Sequence, residues 1–263
     1  MRGVDPTVLL EHHCADAWPA LVDQPLGQWR LRAAGGFTGR ANSALATGDP
    51  GIPVPEALRL AIGFADGHGI APLAMAVLDS VTEKEIADAG WRMSAHDPGE
   101  PGVAVLTGGL AGLRDADPAG ADLTGIDPTG THPSGAIVRG TASEGWLALA
   151  EGGEPSAAAL HVLTGGTTVG FGSMAVGGET VGVVRGAIVG DLLHISRLAV
   201  RADHRRRGLA RTLLAALAGW ALALGASRCV LQVADPNDAA MRLYVSLGCI
   251  EHHRYRYWSP AGA

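Results

Sequence analysis

Residues 198–210 read LAVRADHRRRGLA, which is an apolar strand followed by a short polar loop and the start of a helix. The first backbone N–H groups of a helix have no intrahelical partners, and the helix dipole places positive potential beside them. Gly208 lets an anion approach the backbone without a Cβ in the way, and arginines such as the three before it bind phosphate oxygens well. The stretch therefore predicts a site for a phosphate or diphosphate group.

Two other nucleotide-binding loops do not fit this junction. A Walker loop needs Gly-x-x-x-x-Gly-Lys-Ser/Thr, and a dinucleotide-binding fold needs Gly-x-Gly-x-x-Gly at the start of a helix. Neither pattern stands where the strand at residues 198–200 meets the helix. Taken alone, three arginines and a glycine also fit a solvated, basic helix start, so the flanking sequence has to separate these two interpretations.

The sequence on both sides of the loop alternates strand and helix patterns. Before the loop, Gly190-Asp191 is a two-residue turn, so we predict that Val183 to Val189 pairs antiparallel with Leu192 to Val200. After the loop come a leucine-rich helix and the apolar strand Cys229 to Val233. Asp235 is predicted to cap the helix that follows.

The earlier part of the chain is also mixed α/β in pattern. Trp29 to Ala33 alternates apolar residues with arginines, which predicts a half-buried strand. Thr82, with Glu85 three residues later, predicts the capped start of a short helix. Ala157 to Leu163 is an apolar run close to glycine pairs and is predicted to be a strand.

The chain of 263 residues is long enough for two small domains, each with its own core. Residues 115–135 contain two Asp-Pro pairs, one His-Pro and several glycines, with almost no apolar periodicity, so they are predicted to form a linker. We therefore expect one α/β domain at residues 1–114 and a second at residues 136–263.

Composition excludes several classes of protein. The formal net charge of −6 argues against a general nucleic-acid binder, because phosphate neutralisation needs surplus cations. No apolar run approaches the roughly 20 residues that span a bilayer. The cysteines Cys14, Cys229 and Cys249 match neither a disulfide framework nor a zinc-ligand spacing. We therefore predict a cytoplasmic protein with no metal, no membrane contact and no nucleic-acid partner.

Residues 205–210 resemble the pyrophosphate loop of GNAT acetyltransferases, whose pattern is Arg/Gln-x-x-Gly-x-Gly/Ala. Arg205, Gly208 and Ala210 stand in its first, fourth and sixth places. The resemblance extends from about Trp146 to Trp258, with strands and helices in the family's order. Three later features of the family follow in register: Asn237, Leu243-Tyr244 and Leu247-Gly248.

The resemblance implies an α/β (α+β) fold in which a mixed, mostly antiparallel sheet is flanked by helices, and an acetyl-CoA-dependent N-acetyltransferase activity. The segment from Trp29 to Ser43 resembles two-part actinobacterial GNAT proteins, which implies that the N-terminal domain is a degenerate GNAT-like half. By resemblance, acetyl-CoA contacts fall on the following residues: Leu198, Ala199, Val200, Arg205, Arg206, Arg207, Gly208, Leu209, Ala210, Arg211, Asn237 and Tyr244.

Direct acetyl transfer needs a neutral amine, stabilisation of an oxyanion and a proton donor for the departing thiolate. A backbone N–H on the strand at residues 198–200 can stabilise the oxyanion, and the resemblance places Tyr244 near the sulfur as the donor. A core tyrosine is the alternative for Tyr244. His194 is the nearest candidate base, since its ordinary pKa suits the task; Glu251 and a water relay are the alternatives.

The acceptor is expected to be a small-molecule primary amine, for instance an amino acid such as glutamate. Arg40 or Arg32 would then pair with a substrate carboxylate; the alternative is a glycine turn with a surface arginine. Two other functions stay open at this point. One is a regulatory protein that binds acetyl-CoA without turnover, and the other is an acetyltransferase acting on protein lysines or N-termini.

Overall fold

The described strands form a single mixed sheet. The computed structural model describes residues 5–94, 102–115, 135–235 and 237–262. The elements before residue 116 are α1 (Pro6–Ala17), β1 (Val22–Leu26), β2 (Trp29–Ala33), β3 (Ala44–Leu45), α2 (Val54–Gly67), β4 (Ala74–Val77), α3 (Val81–Asp88), β5 (Arg92–Met93), β6 (Val103–Gly109) and α4 (Leu110–Asp115). The later elements are β7 (Ile137–Arg139), α5 (Glu144–Glu151), α6 (Ala157–Thr164), β8 (Val169–Val176), β9 (Glu179–Val189), β10 (Leu192–Val200), α7 (Leu209–Ala223), β11 (Arg228–Ala234), α8 (Asp238–Ser246) and β12 (Ile250–Ser259).

The strands lie in the order β1-β2-β3-β4-β12-β6-β11-β10-β9-β8-β7, with β5 pairing β12 off this path. Two neighbouring pairs, β3 with β4 and β10 with β11, are parallel, and the other pairs within the described ranges are antiparallel. The predicted mixed, mostly antiparallel sheet with flanking helices is confirmed.

The last strand of each half of the chain lies among strands of the other half. Strand β6, from the N-terminal half, sits between β11 and β12. The first half of β12 pairs with β6, while its second half pairs with β4 and β5. The division at residues 115–135 stays a prediction, and most of that segment lies outside the described residues. The halves are joined edge to edge, so the N-terminal half contributes directly to the sheet around β11.

The hairpin at Gly190-Asp191 is confirmed, since Leu192 pairs with Val189 and the antiparallel register continues to Val200 with Gly182. Three local predictions are wrong. Residues 157–164 form helix α6 rather than a strand, because Ser156 caps it and its hydroxyl accepts from the Ala159 N–H at 3.1 Å.

The cap of α8 also differs from the prediction. Asn237, not Asp235, is its N-cap, with the side-chain oxygen accepting from the Ala240 N–H at 3.1 Å. Asp235 pairs instead with Arg254, whose Nη1 lies 2.9 Å from a carboxylate oxygen. Asp235, which the local pattern assigned to the helix cap, therefore forms an ion pair across the sheet instead.

The cap of α3 lies two residues earlier than predicted, at Ser80 with Glu83 three residues on, instead of Thr82 with Glu85. The Ser80 hydroxyl accepts from the Glu83 N–H at 3.0 Å, and the Glu83 carboxylate accepts from the Asp79 N–H at 2.6 Å. The same carboxylate accepts from the indole N–H of Trp258 on β12 at 3.3 Å. Glu83 therefore ties a helix of the N-terminal half to the last strand of the chain.

We expect Glu83→Ala to lower the free energy of unfolding by about 1–3 kcal/mol, because it removes a helix cap and leaves a buried indole N–H without its acceptor. Urea denaturation measures the change. Glu85→Ala is the matched control, since Glu85 is exposed on the same helix and its replacement should change stability by less than about 0.5 kcal/mol. Equal losses in the two variants would contradict the role given to Glu83.

Helix α7 lies on one face of the sheet and is fixed there by close packing. Its leucines Leu213 and Leu217 are fully buried. A Cβ at Gly186 on β9 would lie 2.9 Å from Leu217 Cδ1 and 2.8 Å from Leu193 Cδ1, so this glycine lets the helix approach the sheet. The opposite face is covered by α1, α5 and α6, where Trp18 and Trp146 are buried in one cluster.

Candidate functional site

Strands β10 and β11 pair along their first residues and then separate. They pair from Leu192 with Arg228 as far as Ile195 with Leu231. Beyond that point β10 stays with β9, while residues 232–234 of β11 stay with β6. The space between residues 196–200 of β10 and residues 232–234 of β11 is called the β10–β11 gap below. Backbone N–H and C=O groups on the inner edge of β10 are free of β11 along this gap, so an extended ligand can pair with them as an added strand.

A β-bulge shapes the β10 side of the gap. The register with β9 shifts between Ser196 and Ala199, and Arg197 has a left-handed backbone with φ of 53°. A bulge changes which face successive side chains take. Leu198 and Val200 pack with the α7 side of the sheet, whereas Ala199 packs with the Trp18 cluster on the other side. Sequence analysis did not predict this bulge.

The loop after β10, residues 201–208, ends beside a row of unpaired backbone donors. Arg206 and Gly208 both have left-handed backbones, with φ of 63° and 83°, and α7 begins at Leu209. Within the described part of the chain, the backbone N–H groups of residues 206–210 have no hydrogen-bond partner. No atom lies within 4 Å of where a Cβ on Gly208 would stand. This arrangement fits the diphosphate of acetyl-CoA, since it offers several N–H donors at the positive end of a helix.

Arginine side chains hold this loop in shape. Arg205 Nε donates to the Val200 carbonyl at 3.1 Å, and Arg207 Nη2 donates to the Asp203 carbonyl at 3.1 Å. Arg211, on the first turn of α7, donates to the Ser246 hydroxyl on α8 at 2.6 Å. The loop and the two helices behind it are therefore connected by hydrogen bonds rather than by apolar contact alone.

Tyr244 lies on α8 with 7% of its surface exposed, inside the core cluster of the α7 side. Burial, with added repulsion from the nearby thiols of Cys249 and Cys229, raises the pKa of Tyr244 well above its ordinary value. Its phenol is therefore a protonated hydrogen-bond donor throughout the neutral range. Asn237 is exposed, and its side-chain oxygen is used in the cap of α8.

His194 is buried, with 1% of its surface exposed, and its ring centroid lies 6.4 Å from that of Trp18. Burial first, and then the guanidinium groups of Arg40 and Arg185, lower its pKa well below 6.5, while Gln232 acts weakly in the opposite direction. Neither ring nitrogen has a partner with hydrogen-bond geometry among the described residues. At neutral pH His194 is therefore an uncharged imidazole.

The other two candidates from the sequence lie farther from the gap or are already occupied. Glu251 is on β12, separated from β10 by β6 and β11, and pairs with Arg254 at 2.9 Å. Arg32 is buried; its Nη2 donates to the Ala15 carbonyl at 2.9 Å and to the Trp18 carbonyl. Burial lowers the pKa of Arg32 to about 10. The donors of Arg32 thus hold the end of α1.

Arg40 differs from Arg32 in position and in partners. Its Nη1 donates to the side-chain oxygen of Gln232 at 2.7 Å, across the boundary between the two halves of the chain. Gln232 is the first residue of β11 beyond its pairing with β10. The structure thus brings a predicted acceptor-binding residue of the N-terminal half beside the β10–β11 gap of the C-terminal half.

Among the described residues, none of the helices is both long and apolar enough to cross a membrane. The same residues contain no group of three or more His, Cys, Asp or Glu side chains placed to hold a metal ion. Of the adjacent pair His252 and His253, His253 donates to the buried carboxylate of Glu11 at 2.8 Å.

Comparison with solved structures finds the same architecture over nearly the whole chain. A GCN5-related N-acetyltransferase from Kribbella flavida is 16% identical, with a TM-score of 0.68 over 99% of this chain and 98% of that one. A tandem GNAT protein from the clavulanic acid biosynthesis pathway is also 16% identical, with a TM-score of 0.59 over 88% of this chain and 77% of that one. At these identities the likeness shows the fold alone.

Comparison with curated proteins gave no match. Comparison with family models gave one over the segment that contains the β10–β11 gap, the loop and Tyr244. The model that matches is that of the acetyltransferase (GNAT) family, and the match covers residues 140–249. Residues 140–249 of this chain are therefore similar to the GNAT family of acetyltransferases.

Proposed function

We propose that this protein transfers an acetyl group from acetyl-CoA directly to the primary amine of a small molecule, an amino acid being the best candidate. The observation that carries the proposal is the β10–β11 gap, which ends beside the unpaired N–H groups of residues 206–210. One long ligand with an amide-containing arm and a diphosphate can use both features at once. Bound there, acetyl-CoA would supply the activated thioester.

Different residues of this chain would bind different parts of acetyl-CoA. The backbone of Leu198 and Val200 would pair with the pantetheine amides, as an added strand does. The diphosphate would lie on the backbone N–H groups of residues 206–210, since the N–H of Arg211 already donates to the Gly208 carbonyl at 2.8 Å, and the side chains of the loop arginines would add positive charge. Asn237 would contact the arm from the start of α8.

The chemical step needs charge stabilisation at two atoms. A backbone N–H of residues 198–200 would stabilise the oxyanion that forms when the amine attacks the carbonyl. The phenol of Tyr244 would donate a hydrogen bond to the departing sulfur. Its raised pKa keeps the donor proton in place in the neutral range, although it also makes complete proton transfer to sulfur more costly.

The amine has to arrive without its extra proton. The guanidinium groups of Arg40 and Arg185, near His194, lower the pKa of any ammonium bound there by repulsion. We propose His194 as the group that accepts the amine proton. Because the pKa of His194 is itself low, it would pass that proton on to water rather than keep it.

We expect acetyl-CoA to bind with a stoichiometry of one per chain and to raise the melting temperature, since a ligand of the native state stabilises it. Calorimetric titration measures the stoichiometry. Two molecules per chain would contradict the assignment of the cofactor site to the C-terminal half, and no binding would contradict the proposed function.

Turnover is tested by thiol release from acetyl-CoA with a panel of small primary amines. Amine-dependent release supports acetyl transfer to a small molecule. Binding of acetyl-CoA without release for any amine favours a regulatory protein, and acetylated lysines or N-termini on added proteins would identify a protein acetyltransferase.

A further inference from the structure

Three guanidinium groups surround one indole ring beside the β10–β11 gap. The Cζ atoms of Arg40, Arg185 and Arg197 lie 4.7, 5.1 and 5.6 Å from the ring centroid of Trp18. Arg197 also lies over the ring of Phe37, at 5.1 Å. We call Arg40, Arg185 and Arg197 around Trp18 the arginine cluster. It combines residues of both halves of the chain.

Positive charge in the arginine cluster exceeds the negative charge paired with it. Within the described ranges, Arg40 and Arg185 have no carboxylate within ion-pair distance. Arg197 has one, since its Nε lies 3.1 Å from Glu151. Glu11, a buried carboxylate on α1, is bonded to His253. Partly buried cations without counter-ions are costly to maintain, so an anion that completes the cluster would be bound strongly.

The three arginines differ in how many donors they have free. Arg185 is fully buried and uses its guanidinium on backbone carbonyls, including those of Leu163 at 2.6 Å and Ala17 at 3.0 Å. Arg40 is half-buried, and among the described residues its guanidinium donates to Gln232 through Nη1. Arg197 keeps 26% of its side chain exposed. Arg40 and Arg197 can therefore bind a ligand that enters from solvent, while the buried Arg185 adds positive charge behind them.

Unpaired polar side-chain atoms lie on β10 at the opening of the gap and just before it. The Ser196 hydroxyl and both nitrogens of His194 are buried without a partner among the described residues, and the two residues are 8% and 1% exposed. Ser196 is the first residue of β10 beyond its pairing with β11, and its register partner on β9 is Arg185. Register partners share a face of the sheet, so Ser196 faces the arginine cluster at the point where the gap opens.

We infer that the acceptor is an amine that also carries a carboxylate, and that Arg40 and Arg197 bind this carboxylate while Ser196 and His194 hold the amine at the gap. The inference rests on the proposed function and names its substrate class. Two forked guanidinium groups match the geometry of a carboxylate. The amine end lies next to the carboxylate end, which favours compact amino-acid-like acceptors over long diamines.

The test uses the full chain, acetyl-CoA, the L-amino acids and their α-carboxamides as matched pairs. For each amino acid that is acetylated, its carboxamide should lose roughly 30-fold or more in kcat/KM, mainly through KM, because a partly buried charge pair is lost. Arg40→Gln should bring the carboxylate to carboxamide ratio towards one while the affinity for acetyl-CoA stays unchanged. Arg197→Gln is paired with Glu151→Gln in one double variant, so that no carboxylate is left without its partner.

Arg59→Gln, which removes an exposed arginine on α2, is the control for a change in net charge and should keep the ratio. Equal turnover of carboxylates and carboxamides would overturn the inference and leave acetyl transfer standing, as would Arg40 and Arg197 variants that keep the parent ratio.

If no amine is acetylated, calorimetry with N-acetyl-L-amino acids and their carboxamides in the presence of CoA decides instead. Binding of the carboxylates alone, lost in the arginine variants, supports the anion site while rejecting acetyl transfer. Binding without this selectivity, or no binding, overturns the inference.

Discussion

Gly208→Val should lower the affinity for acetyl-CoA by roughly 100-fold or more, equivalent to about 3 kcal/mol of binding free energy. Gly208 stands between the loop and α7, with φ of 83°, and the neighbouring backbone N–H groups are unpaired within the described residues. A valine side chain would project into open space at this position, since no protein atom lies within 4 Å of the Cβ. In the proposed complex that space is where the diphosphate approaches the backbone.

Backbone strain has to be separated from this steric effect, because a branched residue with positive φ costs about 1–2 kcal/mol wherever it is placed. Gly225, just beyond the other end of α7, offers the matched control. Its φ is 90°, and no atom lies within 4 Å of its Cβ position. Gly225→Val should lower the melting temperature to a similar extent while binding acetyl-CoA normally in calorimetry. Equal affinities in the two valine variants would show that Gly208 serves only the backbone conformation.

The loop and its flanks could be predicted from sequence because they depend on local chemistry. A turn at Gly190-Asp191, an apolar strand and a glycine before a leucine-rich helix each leave a short-range pattern. Residues 157–164 show the limit of such patterns. An apolar run of this length fits a strand or a helix equally, and the Ser156 cap was the observation that favours the helix.

The position of β6 between β11 and β12 could not be predicted in this way. Its apolar start at residues 103–106 fits a buried strand, yet only long-range pairing decides which strands flank it. The arginine cluster depends on the same kind of information. Arg40 and Gln232 are 192 residues apart in sequence and meet because the two halves share one sheet. The bulge at Arg197 leaves no local pattern either, since arginine rarely adopts positive φ.

Arg32 and Arg40 have similar positions in the sequence but different roles in the structure. Both flank the same glycine-rich segment, and a carboxylate could in principle pair with either. The structure separates them by burial: Arg32 is 3% exposed and bonded to carbonyls of α1, while Arg40 reaches the boundary beside Gln232. Arg40 is therefore the one that enters the proposed acceptor site.

Tyr244→Phe should keep the fold and most of the affinity for acetyl-CoA while lowering kcat by about 10²-fold to 10³-fold, because one preorganised donor to the developing charge is lost. The hydroxyl is assigned to the departing thiolate, whose charge develops in the transition state and is nearly absent from the bound thioester. An interaction of this kind affects kcat rather than ground-state binding. The aromatic ring, which is buried among the residues of the α7 side, stays in place in the phenylalanine variant.

Steady-state kinetics of the purified variant measures the effect, with thermal melting and the acetyl-CoA dissociation constant as controls. The pKa of Tyr244 lies well above its ordinary value because the phenol is buried near two thiols, so no loss of kcat from phenol ionisation is expected between pH 6 and about pH 9. A variant that melts normally, binds acetyl-CoA normally and turns over at the parent rate would show that Tyr244 only packs. In that case the thiolate leaves unassisted or takes its proton from water.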